Sequence, residues 1–117
     1  MARFTAGPSL GRPAPQAPVT VNGTASGTSV IAAPGATVRL YILKGSLLNR
    51  AATETVVSLR EGTGGTIRFR ANLAVDGGGV LFNFGERGWQ LPLNTALIAD
   101  IGQDSVDVNV TEYYQAP

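Results

Sequence analysis

The strict alternation of residues near the C-terminus constrains the fold of this chain more than any other feature. Valine occupies every second position from Val106 to Val110, and Asp107, Asn109 and Thr111 fill the positions beside them. A period of two places the apolar side chains on one face of a β-strand and the polar side chains on the other. A strand with one dry and one wet face is typical of an antiparallel sheet packed against a second layer.

Short apolar or alternating runs recur along the chain, separated by Gly, Pro and Asn. The predicted strands are 19–21, 28–33, 37–44, 55–60, 66–71, 80–84, 96–101 and 105–113. Strands of this length at a spacing of about ten to twelve residues, with turn residues between them, predict an all-β protein. We expect an antiparallel β-sandwich or jelly roll of about eight strands, with almost no helix.

Alternation within these strands also predicts which side chains form the core. Inward-facing positions are expected for Val38, Leu40, Ile42, Val57, Leu59, Ile67, Phe69, Val80, Phe82, Phe84, Leu97, Ala99, Val106, Val108 and Val110. Residues 45–52 have no clear period, and a single helical turn and a loop cover both stay open there. The Gly-rich runs 62–65 and 77–79 lie between predicted strands and precede no helix, so we interpret them as tight turns and not as phosphate-binding loops.

Composition excludes several classes of function. The chain has 117 residues, which is one domain by length, and it contains neither Cys nor His. Thiolate chemistry is therefore impossible, and the usual general base near neutral pH is missing. We expect no enzyme activity, no catalytic residue, no cofactor and no metal site. Asp100, Asp104 and Asp107 form the one acidic cluster; solvated turn carboxylates and a loosely held calcium both fit it, and the first is favoured.

Charge and hydropathy bear on partners and location. Nine basic and eight acidic residues give a formal net charge of +1, which argues against nucleic-acid binding. No apolar run of about eighteen residues is present, and the first residues lack the apolar region of a secretory signal, so we expect no membrane partner and assembly in a cytoplasm. Charged residues make up only 15% of the chain. A surface so poor in charge indicates either a plain soluble protein or one that neighbours cover.

The first eighteen residues differ from the rest. Pro8, Pro13, Pro15 and Pro18 interrupt any strand ladder, and no hydrophobic period is present. We therefore predict two parts, an extended Pro-rich arm over residues 1–18 and a β-sandwich domain over residues 19–117. The arm is expected to lie against its own domain or against a neighbouring chain, and we favour the neighbour.

Candidate interface residues fall in the arm and in two places on the sandwich. The arm candidates are Arg3, Phe4, Pro8, Arg12, Pro13 and Pro15. Arg68 and Arg70 project from one face of a predicted strand, where they would be solvated or would pair with acidic residues of a neighbour. Trp89 would serve as an anchor in a partner's pocket or as a lid over one end of the sandwich, and the lid is favoured.

The stretch from residue 27 to residue 113 resembles small tailed-bacteriophage virion proteins with a β-sandwich fold, of the head-decoration and head-fibre type. The matching features are Val30-Ile31-Ala32-Ala33 before a Gly turn, Leu81-Phe82-Asn83-Phe84 after a Gly cluster, Gly88-Trp89 before Asn94-Thr95, and the valine-rich strand that ends in Tyr113-Tyr114. They form a pattern of turns and alternation without a catalytic signature, and the pattern does not include the arm.

The resemblance implies a structural role in a virion. The leading expectation is a capsid decoration, or cement, protein that binds the major capsid protein or other virion subunits and stabilises the assembled head. It would be a homo-oligomer, with a trimer favoured, located in a virion assembled in the host cytoplasm. The alternative is a receptor- or carbohydrate-binding module of a phage fibre or tail, for which Trp89, Tyr113, Tyr114 and Asn83 are the candidate contacts.

Overall fold

A computed structural model of the chain describes residues 14–23, 27–102 and 105–117. These residues form nine β-strands: β1 (Val19–Gly23), β2 (Thr28–Ile31), β3 (Arg39–Asn49), β4 (Thr55–Glu61), β5 (Ile67–Leu73), β6 (Gly79–Asn83), β7 (Trp89–Gln90), β8 (Leu97–Ile101) and β9 (Val106–Ala116). The described part contains no helix, and therefore none that could cross a membrane. The predicted all-β class is confirmed.

Two antiparallel sheets pack face to face as a sandwich. One sheet has the strand order β1-β9-β3-β6, with the two-residue β7 also paired to β3, and the other has the order β2-β8-β4-β5. Apart from β7, this is the strand order of a jelly roll, in which eight strands form two Greek keys. β7 was not predicted from the sequence.

The topology is that of one long hairpin rolled into two layers. Its tip is the β4–β5 pair, joined by the glycine turn at 62–65, and moving outward from the tip β3 pairs with β6, β2 with β8 and β1 with β9. Gly62 and Gly64 both adopt positive φ values, 76° and 72°, which glycine tolerates without strain. The prediction that this run is a tight turn is confirmed.

Strand β3 extends further than the sequence indicated, because its alternation shifts partway along. Leu40 and Ile42 face inward, but beyond a register irregularity between Ile42 and Gly45 the buried positions are Gly45, Leu47 and Asn49. β9 shifts at the same level: Val110 and Tyr113 are both buried although they are three residues apart. Bulges of this kind move later side chains to the opposite face. Residues 45–49 are strand, which neither interpretation of 45–52 predicted, whereas residues 50–52 do lie in a loop.

Most predicted core positions are buried, and the exceptions share a location. Ten of the fifteen are buried, whereas Val38, Ile67, Phe69, Val80 and Phe84 are only partly buried. Phe69, Val80 and Phe84 pack against the core from the line where β5 and β6, the last strands of their sheets, come together. Val38 and Ile67 do not join the core cluster, because Val38 precedes β3 and Ile67 opens β5 beside a register shift. Their assignment to the core was wrong.

Four aromatic rings close the line between β5 and β6. Phe82 lies 5.6 Å from both Phe69 and Phe84 between ring centroids, and Phe84 meets Trp89 edge-on at 5.4 Å. Tilted and edge-to-face contacts at these separations are favourable arrangements for aromatic pairs. The two sheets are therefore joined here by side chains where no backbone ladder connects them.

Asn49 organises the loops at one end of the sandwich. Its side chain is fully buried; Nδ2 donates to the carbonyl oxygens of Thr53 and Ala74 at 2.9 and 3.0 Å, and Oδ1 accepts from Ala51 N at 2.9 Å. Its backbone exchanges further hydrogen bonds with Gly77 and Gly78. One amide thus ties the β3–β4 loop to the β5–β6 loop, which includes the second predicted glycine turn.

Candidate interaction surface

The described end of the arm lies along the edge of the first sheet. β1 pairs with β9 in a register that sets Val19 opposite Val110. Three residues further along both strands, this register places Gln16 opposite Tyr113. The amide of Gln16 does donate to the Tyr113 carbonyl oxygen, at 2.8 Å. Pro18 lies between the two and has no N–H to donate, so the ladder breaks and then resumes for one bond.

β1 begins at Val19, and one backbone hydrogen bond to the sandwich is made within the predicted arm, at Gln16. Residues 14–18 are exposed, and Pro15 is the one arm candidate among them. Arg3, Phe4, Pro8, Arg12 and Pro13 lie outside the described residues. We call the strip formed by residues 14–18 and β1 the arm edge.

Arg68 and Arg70 project from the outer face of β5, as their alternation predicted. Arg68 Nε lies 3.2 Å from Glu61 Oε2, and Arg70 Nε donates to Ser58 Oγ at 3.1 Å. Both guanidinium groups thus have partners within their own chain. More than half of the Arg68 side chain remains exposed, at 56%, so it keeps surface that a neighbour could contact.

Trp89 is part of the core cluster and is only 6% exposed. Its indole N–H donates to Glu61 Oε2 at 2.7 Å, the oxygen that also contacts Arg68. Because Glu61 belongs to the second sheet and Trp89 to the first, this hydrogen bond links the two layers. The burial agrees with the packing role favoured from the sequence and leaves little of the indole for a partner's pocket.

Among the described candidates, Pro15 lies apart from Arg68 and Arg70. The arm edge borders β2, where the two sheets meet on one side of the sandwich, whereas Arg68 and Arg70 lie on β5, which meets β6 on the other side. A single partner surface would have to wrap around the sandwich to contact both groups.

The aromatic residues considered for sugar binding are mostly engaged elsewhere. Tyr113 is 7% exposed, and burial raises the pKa of its hydroxyl. Tyr114 stacks on Tyr41 of the neighbouring strand, with centroids 4.6 Å apart and ring planes within 2° of parallel. Each ring therefore covers one face of the other. Asn83 is exposed, but its Oδ1 accepts from Gly85 N at 2.8 Å in its own turn.

The acidic residues of the predicted cluster are held by basic partners. Asp100 pairs with Arg60 at 2.6 Å and accepts from Gly27 N, and Asp107 accepts from Arg50 Nε at 2.5 Å and from Asn22 Nδ2 at 2.8 Å. The hydrogen bond from Arg50, followed by the one from Asn22, lowers the pKa of Asp107. Asp104 lies outside the described residues, and the described ones contain no group of three or more potential metal ligands.

One large apolar side chain is mostly exposed to solvent. Leu81, on the outer face of β6, is 81% exposed and lies in register with Ser46 of β3. It borders a shallow groove that Ser46 and Thr111 also line. A single exposed leucine is ordinary on a soluble protein, so Leu81 is at most one contact of a larger surface.

Comparison with known proteins adds no relative. No protein-family model matches the chain, no curated protein matches it, and no solved structure matches it.

Proposed function

We propose that this chain is a structural protein of a tailed-bacteriophage virion, a capsid decoration protein that binds the assembled head and stabilises it. Its partners are the major capsid protein or other virion subunits, and it acts as a homo-oligomer, with a trimer favoured. Each bound copy would add its binding free energy to the stability of the shell, because a protein that binds the assembled head more tightly than its separate subunits stabilises the head.

The observation that carries the proposal is the way the arm meets the sandwich. The hydrogen bond from Gln16 to Tyr113 holds the arm at the sheet edge, and residues 1–13 precede that attachment. A fully extended segment of that length spans up to about 40 Å. An arm attached at an edge and long enough to extend beyond its own domain suits contact with a neighbouring subunit.

Two further features support a structural role. The jelly roll holds its largest aromatic, Trp89, in the core, and its ion pairs, including Arg68–Glu61 and Arg60–Asp100, join strands of its own sheets. A domain whose side chains mostly serve its own packing is suited to being a rigid building block. The fold itself decides nothing, because jelly rolls occur in viral capsid proteins and in lectins alike.

Deletion of residues 1–13 tests the proposal. This cut keeps the Gln16–Tyr113 bond, so the melting temperature should stay nearly unchanged while co-sedimentation with assembled heads of the cognate phage falls strongly. A double variant, Arg68→Ala with Arg70→Ala, tests the other candidate contacts, on the opposite side of the sandwich. Full binding by the truncated chain would remove the arm from the proposal, and failure of the full chain to bind heads would reject it.

The alternative is a receptor- or carbohydrate-binding module, and the Tyr41–Tyr114 pair is the observation that favours it. Both rings are partly exposed on the outer face of the first sheet. A glycan array probed with the full chain, with Tyr114→Ala as the control, distinguishes the two proposals. Binding that depends on Tyr114 would support the module.

A further inference from the structure

One side of β1 is an open sheet edge with outward-pointing backbone groups. Arg50 N donates to Ser105 O at 2.8 Å, so the odd-numbered residues in the adjoining part of β9 point their backbone groups at β3, and the even-numbered ones at β1. In the β1–β9 register, Val21 therefore bonds β9, whereas the N–H and C=O groups of Thr20 and Asn22 point outward. No strand in the described part of the chain pairs with that side.

β1 lacks the features that protect an exposed sheet edge. Charged side chains, bulges and covering groups hinder an edge strand from pairing with another chain. The edge strand β5 carries two arginines, β2 is irregular after Ser29, and aromatic rings join β6 to β5. β1 has no charged residue and a regular register, and its inward-facing Val19 and Val21 are only partly buried. A further strand beside β1 would therefore gain backbone hydrogen bonds and cover apolar surface.

The N-terminal end of the chain has a short run that fits such an edge. The arm as a whole has no hydrophobic period, but in Ala2-Arg3-Phe4-Thr5-Ala6-Gly7 the apolar residues occupy every second position, and Pro8 follows. Six residues are enough for one strand. The link between this run and the described chain is residues 8–13, which extend up to about 20 Å. The run can therefore reach an edge on a neighbouring molecule.

We propose that residues 2–7 of one copy add an antiparallel strand to the open edge of β1 in a second copy. Thr5 lies opposite Thr20 and Arg3 opposite Asn22, so both pairs exchange backbone hydrogen bonds through the outward groups of β1. This inference rests on the homo-oligomer of the proposed function and not on capsid binding.

The same register suits the side chains of the added strand. Phe4 lies opposite Val21 in a pair without mutual hydrogen bonds, where side chains come closest, and it covers the partly buried valine from the core side. Arg3 lies on the outer face beside Asn22, one strand away from the Asp107 carboxylate. Pro8 ends the strand, because it has no N–H to donate.

The path of the chain favours a second copy over the same copy. Pairing with its own β1 would require residues 8–13 to reverse direction, but prolines begin and end this link and favour an extended path. A hairpin ladder could not continue regularly past β1 either. The amides of Gln16 and Val19 both face β9 although they are three residues apart, so the alternation is broken between them.

The first test measures self-association without capsids. Sedimentation equilibrium over a concentration series should show that the full-length chain associates, and deletion of residues 2–7 should weaken the association at least about tenfold. A full-length chain that stays monomeric, or a truncated chain that associates equally well, would overturn the proposal. Binding to heads is a separate measurement, so failure of the capsid role would leave this result unchanged.

The second test blocks the edge itself. Thr20→Pro removes one outward amide and keeps the β1–β9 ladder, so it should weaken association at least about tenfold. Asn72→Pro is the matched control, because Asn72 is exposed on the opposite edge strand β5 and its amide also points away from its ladder. It should leave association unchanged. Association of Thr20→Pro at the strength of the parent chain would contradict the proposed edge.

The third test traps the register in a chain that has no cysteine of its own. Thr5→Cys and Thr20→Cys chains, mixed under mild oxidation, should form a disulfide between copies, because Cα atoms in a hydrogen-bonded pair are about 5.5 Å apart. Thr5→Cys mixed with Asn72→Cys should not. Equal trapping by both mixtures would overturn the register. A disulfide within one chain of the Thr5→Cys, Thr20→Cys double variant at high dilution would overturn the assignment to a second copy.

Discussion

The two ends of the jelly roll are closed by different chemistry. At the Asn49 end, a neutral amide with no exposed surface satisfies three backbone groups of two loops. At the Trp89 end, the Glu61 carboxylate joins the indole N–H of the first sheet to the guanidinium of Arg68 on the second. The Glu61 side chain is 10% exposed and that of Arg68 is 56% exposed, so this end is wetter.

The difference teaches which end should depend on geometry and which on charge. Burying a polar group is costly unless its hydrogen bonds are made. A side chain at position 49 that cannot make the hydrogen bonds of asparagine should therefore lower the stability of the protein. An ion pair with one exposed partner is screened by water and salt and contributes little. We therefore expect the Asn49 end to be intolerant of substitution, and the Trp89 end to be held mainly by aromatic packing.

Asn49→Ala should produce the largest effect. It leaves the carbonyl groups of Thr53 and Ala74 and the amide of Ala51 without their partner, and a group left unsatisfied costs about 1–3 kcal/mol where water cannot replace that partner. We expect the free energy of unfolding in urea to fall by about 3–5 kcal/mol, allowing for relaxation and water entry. Asn72→Ala, at an exposed position of β5, is the matched control. A loss below about 1 kcal/mol would contradict the role assigned to Asn49.

Trp89→Phe should have an intermediate effect. Phenylalanine keeps an aromatic ring beside Phe84 but fills less volume and cannot donate to Glu61. Cavity formation and one lost charge-assisted hydrogen bond together suggest about 1–3 kcal/mol by urea unfolding. Combining it with Glu61→Ala, which removes the acceptor, in a double-mutant cycle isolates the hydrogen bond. Strict additivity of the two changes would show that packing alone holds this end.

Arg68→Ala should have a smaller effect than either. Glu61 would keep its hydrogen bond to Trp89, and the guanidinium is mostly in water, so the expected loss is within about 0.5 kcal/mol. The same measurement in high salt should reduce the difference from the parent chain further. A loss comparable to that of Trp89→Phe would mean that charge, and not packing, closes the Trp89 end.

The sequence predicted the fold well where a regular period extends over a whole strand. The alternation of β5 placed Arg68 and Arg70 outside and Phe69 inside, as the structure has them. The alternation misled the prediction after Ile42, because the register shift in β3 exchanges the inward and outward faces of the strand. No residue near the shift signals it in the sequence. β7 was missed because two residues are too few to show a period.

The two polar contacts that close the ends could not be predicted from the sequence, for a different reason. Asn49 is defined by partners in the β3–β4 and β5–β6 loops, and Glu61 by an indole 28 positions away along the chain. Only the rolled topology brings these groups together. Asn49 still carried a weak signal, since a polar residue directly follows Leu47-Leu48, but without the strand assignment its burial could not be inferred.

Acid titration should reveal the contribution of Asp107, which lies beside Asn49 in register with Leu48, and it is the smallest effect expected. Asp107 joins Asn22 of β1 to Arg50 of the β3–β4 loop, and the hydrogen bond from Arg50, then that from Asn22, lowers its pKa in the folded state. A carboxyl whose pKa is lowered by folding stabilises the protein above its unfolded pKa of about 3.9, and the contribution is lost as the pH falls through the folded value. The free energy of unfolding should therefore decline below about pH 4, and Asp107→Asn should make that decline shallower. An unchanged slope in the variant would show that the Asp107 contacts contribute nothing to holding β1 and the β3–β4 loop.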